Sequence, residues 1–299
     1  SLSLSLSPSL SLSLSLSPPP PPVPPMPTVL VVGSGAREHA IASALRRFHR
    51  PEVDVSLLCF GSSRNPGIQA ICKAYQSGAL DDKTKIAAFA VENGATLAVI
   101  GPEAPLDAGV ADALRAAGVP VVGPSQALSQ IEGSKGFALR LLAKHGMAGL
   151  PAFREFSALE GAREYLEELG EGNYVIKADG LCGGKGVKVA GAHLASIDEA
   201  LVYCEECLPH FVICEKLVGQ EFSLLSLTDG QHLAHMPPLQ DHKRAYDGDK
   251  GPNTGGMGAY SCADHMLPFL SQRALDDAKR MQAETIVALK TEVGPPPSE

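Results

Sequence analysis

The strongest constraint in this sequence is an alternation of short apolar runs with helix-patterned stretches between Thr28 and about residue 124. Val29–Val32, Val53–Phe60, Leu97–Ile100 and Val119–Val122 are short and rich in β-branched residues, as buried strands are. Between them, Ala40, Ile41, Ala44, Leu45 and Phe48 mark one face of a helix. Ile86, Phe89 and Ala90 stripe a second helix that stops at Gly94, and a third is expected over Leu106–Ala117. Parallel strands need crossover connections, and a β-α-β-α order supplies them. The spacing therefore predicts an α/β protein whose residues 28–124 form a doubly wound, Rossmann-like parallel sheet.

The rhythm then changes. Helices are expected over Lys135–His145, Ala158–Leu169, Asp198–Cys207 and Ser271–Leu289. Strands are expected at Tyr174–Ala178, Val187–Ala190, Phe211–Cys214, Glu221–Leu227 and Gln231–His235, the last beyond a turn at Asp229-Gly230. The segment Asp241–Ser261 shows neither periodicity and reads as a polar loop, with Met257 and Tyr260 as its anchors. This is an α+β pattern, and it divides into a small unit over 125–192 and a partial larger one over 193–299.

Residues 1–27 stand apart. They hold 9 of the 24 prolines, no glycine and no charge, and alternate Ser with Leu before a proline run. Their composition offers no core, so a disordered leader is expected, with a translated DNA repeat or a misplaced gene start as its origin. A plastid transit peptide fits less well, because Arg37 is the first charged residue. The net charge of −8 and the lack of a basic block disfavour binding to nucleic acid or an anionic membrane. Seven thinly spread cysteines point to a reducing, cytoplasmic setting rather than a disulfide scaffold.

Several segments offer chemistry. Gly33-Ser34-Gly35 lies between a strand and a helix, where backbone N–H groups can meet a phosphate. Position 38 is Glu rather than the third glycine of a dinucleotide fingerprint, so a phosphorylated small molecule fits as well as NAD, and so does a tight turn with no ligand. Glu103, after strand Leu97–Ile100, could accept hydrogen bonds from an amine or hydroxyls, or simply favour a helix start. Lys177 through Gly186 combines Gly180, Gly183, Gly184 and Gly186 with Lys177 and Lys185. No Ser or Thr follows Lys185, which argues against a P-loop; a flexible glycine loop over nucleotide phosphates is expected instead. Glu215 to Glu221 could form a hinge that holds adenine through its main chain, although alone it reads as an exposed charged turn. The segment from Asp241 to Gly258 mixes both charge signs with glycines and suggests an anion site. Cys204, Cys207, His210 and Cys214 invite a zinc reading, but their placement favours apolar filling.

Taken together, VVGSGAREHA, NPGI, VIGPEAPL, IEGSKGFA, VIKADGLCGGKGVKV and QDHKRAYDGDKGPNTGGMGAYS resemble, in order, the phosphoribosylamine–glycine ligase family of the ATP-grasp ligases. The short link between Cys207 and Phe211 is similar to the archaeal-type branch. The resemblance implies that ATP activates glycine as an acyl phosphate, which the amine of 5-phosphoribosylamine attacks. It implies nucleotide contacts from Lys135, Lys177, Gly183, Gly184, Lys185, Glu215, Lys216, Val218 and Glu221. It assigns the substrate end to Gly33, Gly35, His39, Glu103, Asp241, Lys243, Arg244 and Asn253, with Lys185, Asp241 and Arg244 closest to the chemistry. It also implies magnesium or manganese as cofactor, held by ligands expected beyond Glu299, and possible fusion to other purine-pathway enzymes. A nucleotide- or phosphosugar-binding fragment without turnover is the alternative that this departure suggests.

Overall fold

The computed structural model describes residues 26–47, 54–183, 185–248 and 250–294. The leader through residue 25, Phe48, Val53, Gly184 and the five residues from 295 lie outside them.

The first unit is a parallel sheet of five strands: β1 (Thr28–Val32), β2 (Ser56–Gly61), β3 (Ala74–Ser77), β4 (Leu97–Ile100) and β5 (Val121–Val122), in the order β3-β2-β1-β4-β5. Helices α1 (Ala36–Arg47), α2 (Pro66–Gln69), α3 (Lys83–Glu92), α4 (Glu103–Asp107) and α5 (Val110–Ala116) connect and flank it. Alternate residues of each strand serve opposite cores. Leu30, Val32, Leu58 and Phe60 meet Ile86, Val110 and Leu114 on one face, while Val29, Val31, Leu57 and Cys59 meet Ala42 and Ile68 on the other. Both faces are dry, which is why these strands read as continuous apolar runs. Each buried Val, Leu, Ile or Phe among them contributes about 1.5–3 kcal/mol relative to exposure.

The doubly wound expectation holds, with two changes. The helix expected over Leu106–Ala117 is two helices, because Gly109 takes a left-handed φ of 80° and starts α5 afresh. Strand β3 was not anticipated; AYQS is a polar edge strand of four residues with no apolar alternation.

The second unit begins with α6 (Gln126–Gly133) and α7 (Lys135–Lys144). Strand β6 (Phe153–Phe156), helix α8 (Ala162–Leu169), strands β7 (Tyr174–Ala178) and β8 (Val187–Val189), helix α9 (Ile197–Glu206) and strand β9 (Phe211–Glu215) follow. The strands form an antiparallel sheet ordered β6-β9-β7-β8. Phe156, Tyr174, Ile176, Phe211 and Ile213 pack beneath Leu166 of α8 and Ala200 of α9. On the opposite face Val212 and Cys214 pack against Leu139 of α7. The zinc reading falls here: Cys204 and Cys207 lie in the first of these cores, Cys214 lies in the second, and burial pushes the Cys204 thiol up to about 12. A neutral thiol is a poor metal ligand.

The remaining elements are β10 (Ser226–Thr228), β11 (Leu233–His235), β12 (Gln240–Tyr246), β13 (Lys250–Tyr260) and α10 (Gln272–Val293). Leu289 and Ala288 of α10 close a core with Leu141 of α7 and Met147, lined also by Leu128 of α6. Three expectations are corrected. The strand expected over Glu221–Leu227 is only β10, preceded by a single bridge from Ser223 to Leu239. The polar loop Asp241–Ser261 is the β12–β13 hairpin, with register irregularities between His242 and Arg244 and between Arg244 and Tyr246. Its ladder bonds are backbone bonds, which need no side-chain periodicity. Met257 is 60% exposed and anchors nothing, whereas Tyr260 stacks on His242 and donates to Gln240 at 2.9 Å. Among the described residues no helix is long and apolar enough to cross a membrane.

Candidate nucleotide and substrate site

At the carboxyl edge of the parallel sheet, the chain turns sharply after β1. Gly33 has φ 120°, and its N–H donates to the Phe60 carbonyl at 2.9 Å. A Cβ there would fall 2.6 Å from Glu38 Cγ. Glu38 is the third residue of α1, is only 4% exposed, and accepts the Gly35 N–H at 2.5 Å. This is one half of a capping box, with Gly35 in the cap position. One of the N–H groups that a phosphate could use at this turn is therefore engaged by the chain's own carboxylate. His39 lies against Gly67, at the start of α2. Asn65 caps that helix, accepting from Gly67 and Ile68, and its side-chain amide donates to the Ser34 carbonyl at 3.0 Å. Glu103 sits in the first turn of α4, just after β4. Gly33, Gly35, His39 and Glu103 thus gather along one sheet edge near β1 and β4, where strand order reverses and ligands bind in open parallel sheets.

The glycine loop joins β7 to β8. Its base is closed by the Ala178 N–H donating to the Gly186 carbonyl at 2.8 Å, and a turn brings Lys185 N to Cys182 O at 3.1 Å. Lys177 pairs with Val187 and Val212 on neighbouring strands. It therefore shares their face, opposite the Ile176 core. Lys185 is exposed on the loop. Lys135 opens α7, and its ammonium donates to the Gly180 carbonyl at 2.7 Å. Gly183 takes a left-handed φ of 56°. The structure brings Lys135 to the loop that carries Lys185, directly after the strand that carries Lys177.

At the far end of β9 the chain leaves the sheet. Glu215 accepts the Ala152 N–H at 3.2 Å, and the Lys216 ammonium donates to the carbonyls of Ala190 at 2.9 Å and Gly172 at 3.4 Å. Both charged side chains make protein contacts, although Glu215 stays exposed. The two residues that follow are apolar and exposed, Leu217 at 64% and Val218 at 91%. Main chain and apolar surface suit a flat heteroaromatic ring better than an exposed charged turn does. Beyond it, Lys243 reaches Glu221 at 2.5 Å and Asp241 at 3.7 Å, and Glu221 foremost raises the lysine's pKa. The Arg244 guanidinium donates to the Gly251 carbonyl at 2.7 Å, and Asn253 stands opposite Arg244 in the hairpin register.

Two contributors escaped sequence reasoning. Asp179 accepts from Ser134 Oγ and from the first N–H groups of α7. Ser134 lies within IEGSKGFA and Asp179 within VIKADGLCGGKGVKV, but nothing in either segment announces the other.

A glycine loop ringed by lysines and a hinge with an apolar tip, on an antiparallel sheet beside a doubly wound one, define an ATP-grasp protein. The family profiles agree. Residues 27–132 match the phosphoribosylglycinamide synthetase N domain, and residues 133–295 its ATP-grasp (A) domain. The chain belongs to the phosphoribosylglycinamide synthetase family. It is 43% identical over 275 residues to a phosphoribosylamine–glycine ligase of Methanopyrus kandleri, and 44% over 278 residues to one of Methanococcus vannielii, covering 90% and 89% of this chain. In each case it spans 61% of the relative's length. The crystal structure of the Thermotoga maritima phosphoribosylamine–glycine ligase superposes with a TM-score of 0.70 at 23% identity, over 90% of this chain and 63% of that one.

Proposed function

We propose that the chain carries the nucleotide- and substrate-binding part of an ATP-dependent phosphoribosylamine–glycine ligase. The observation that carries this reading is the grouping of Lys135, Lys177 and Lys185 about one glycine loop, on the sheet whose next strand ends in the apolar hinge. A triphosphate needs several positive groups at one end, and adenine needs a flat, partly apolar slot at the other.

In the proposed reaction a glycine carboxylate oxygen attacks the γ-phosphorus of ATP. The bond between that phosphorus and the β-bridging oxygen breaks, giving glycyl phosphate and ADP. The amine of 5-phosphoribosylamine then attacks the acyl carbon, loses a proton and expels phosphate, leaving glycinamide ribonucleotide. Such chemistry asks the protein for alignment and charge neutralisation rather than a covalent nucleophile. Lys135, Lys177 and Lys185 neutralise the phosphates, the Gly183–Gly186 stretch covers them, and the main chain of Glu215–Val218 lines adenine. Glu221 takes the ribose. Asp241, Lys243, Arg244 and Asn253 face the substrate end together with Gly33, Gly35, His39 and Glu103.

ATP in such enzymes is used with a divalent cation, which supplies charge for the β- and γ-phosphates. Among the described residues no three His, Cys, Asp or Glu side chains converge as metal ligands. The described residues do not fit a resident magnesium ion.

The test is ADP release on adding glycine and phosphoribosylamine to a version that extends over the full length of the relatives. Turnover requiring all three substrates is expected; no ADP above background would refute the ligase reading.

A further inference from the structure

We propose that Asp179 is a positioning residue for the phosphate end of the nucleotide site, locking the base of the glycine loop to the first turn of α7 so that Lys135 and the loop keep one register. This rests on the reading of that loop as the ATP site.

The first N–H groups of a helix have no intrahelical acceptor and must find one elsewhere. At α7 the Ser134 hydroxyl takes the N–H of Phe137 at 3.1 Å, an ordinary N-cap. Two of the others are taken from a distance. Asp179 Oδ1 accepts from Lys135 N at 2.6 Å and Gly136 N at 3.3 Å, while Oδ2 accepts from Ser134 Oγ at 2.9 Å. Asp179 lies 44 positions beyond Lys135, on the residue that follows β7 and precedes the loop. Its own N–H donates to the His210 carbonyl at 3.1 Å, so its backbone is fixed to the chain entering β9. Lys135 completes the ring, its ammonium returning to Gly180 O, the first loop residue.

Burial alone would raise the Asp179 pKa, but the donors from Ser134, Gly136, Lys135 and Gly180 outweigh it and hold the carboxyl below its ordinary range. A charged carboxylate beside a phosphate site would repel the ligand if left bare. Here its charge is spent on the positive end of α7, so it serves as an anchor and not as a ligand. Beyond it the loop has left-handed glycines at 180 and 183, and so has little stiffness of its own. The anchor decides where the loop begins and where Lys135 stands, and pre-set geometry of this kind lowers the ordering cost of binding.

The test uses the whole chain and two readouts. In calorimetry, Asp179→Ala is expected to weaken ATP about 10-fold or more, the scale of a lost charge-assisted hydrogen bond, and to leave adenosine within about twofold. Lys135→Ala added to Asp179→Ala is expected to cost less than about twofold more, since the first change already releases the lysine. Asp179→Asn, which keeps an acceptor for Lys135 N, is expected to lose less and guards against a folding defect. The second readout needs no nucleotide: limited trypsin digestion should cut after Lys185 several-fold faster in Asp179→Ala, with other sites unchanged. Equal losses for ATP and adenosine, additive losses for the two substitutions, or an unchanged rate at Lys185 would overturn the proposal. If the unaltered chain binds neither ATP nor adenosine, the nucleotide reading fails by itself, and the digestion decides whether Asp179 anchors the loop.

Discussion

Two helices in this chain begin beside glycine turns at strand ends, and each has its positive end met by a carboxylate of the chain itself. At α1 the carboxylate is Glu38, three residues from the Gly35 N–H it accepts, and it is buried. At α7 it is Asp179, 44 residues from the Lys135 N–H, half-buried at the root of a loop. The first closure is local. It can form as the helix nucleates, costs no long loop closure, and completes a turn packed so tightly that Gly33, Gly35 and Gly101 leave no room beside the side chain. The second joins distant segments and gains only when both are in place. The same electrostatic device therefore finishes a tightly packed corner in one unit and registers a glycine loop in the other. The loop that we propose handles the phosphates belongs with the second.

The contrast can be broken most forcefully at the packed corner. Gly33→Ala would put a methyl group 2.6 Å from Glu38 Cγ and 2.9 Å from Pro102 Cδ, at a φ of 120° that L residues rarely adopt. A loss of about 3 kcal/mol or more is expected in denaturant unfolding of the chain. A loss below about 1 kcal/mol would mean that the corner yields. At the glycine loop, Lys185→Ala should leave stability nearly unchanged yet weaken ATP about 30-fold, a charge-assisted contact of roughly 2 kcal/mol. Arg46→Ala, which removes an exposed pair with Asp54 on α1, should change ATP affinity less than twofold; equal effects in calorimetry would remove the loop assignment. Glu38→Ala is expected to cost about 1–2 kcal/mol of stability, as loss of a cap does, and to leave ATP affinity within twofold. A large effect on ATP would make Glu38 part of the nucleotide site and erase the contrast. The smallest effect is expected at Lys243. Freeing Glu221 by Lys243→Ala should tighten adenosine at most about fivefold, because exposed ion pairs contribute under about 1 kcal/mol, and raised salt should abolish the difference.

Legibility in the sequence followed the physics of burial. The strands of the doubly wound sheet are dry on both faces, so Val29–Val32 and Leu97–Ile100 stand out as apolar runs. The Lys177–Gly186 loop was legible because four glycines with two lysines between strands have few other uses. The β12–β13 hairpin was not, since charged residues and glycines occupy it and no alternation survives where neither face is dry. Helix α6 escaped notice because its apolar residues, Leu128 and Ile131, face helices rather than a sheet core. Glu38 carries a local signal beyond the missing glycine, because a carboxylate three residues after a cap-position glycine also marks a helix start. Asp179 carried none, because its partners are 43 to 45 residues away and only the folded chain brings them together.

We propose that ATP is held by the glycine loop and the Glu215–Glu221 turn of the second unit, not by the glycine turn of the first. Amide hydrogen exchange of this chain, followed by mass spectrometry with and without ATP, tests it in one measurement. Slower exchange over residues 177–188 and 214–221, with residues 33–39 unchanged, is the predicted result. Protection confined to residues 33–39, with the loop and hinge exchanging as before, would contradict it.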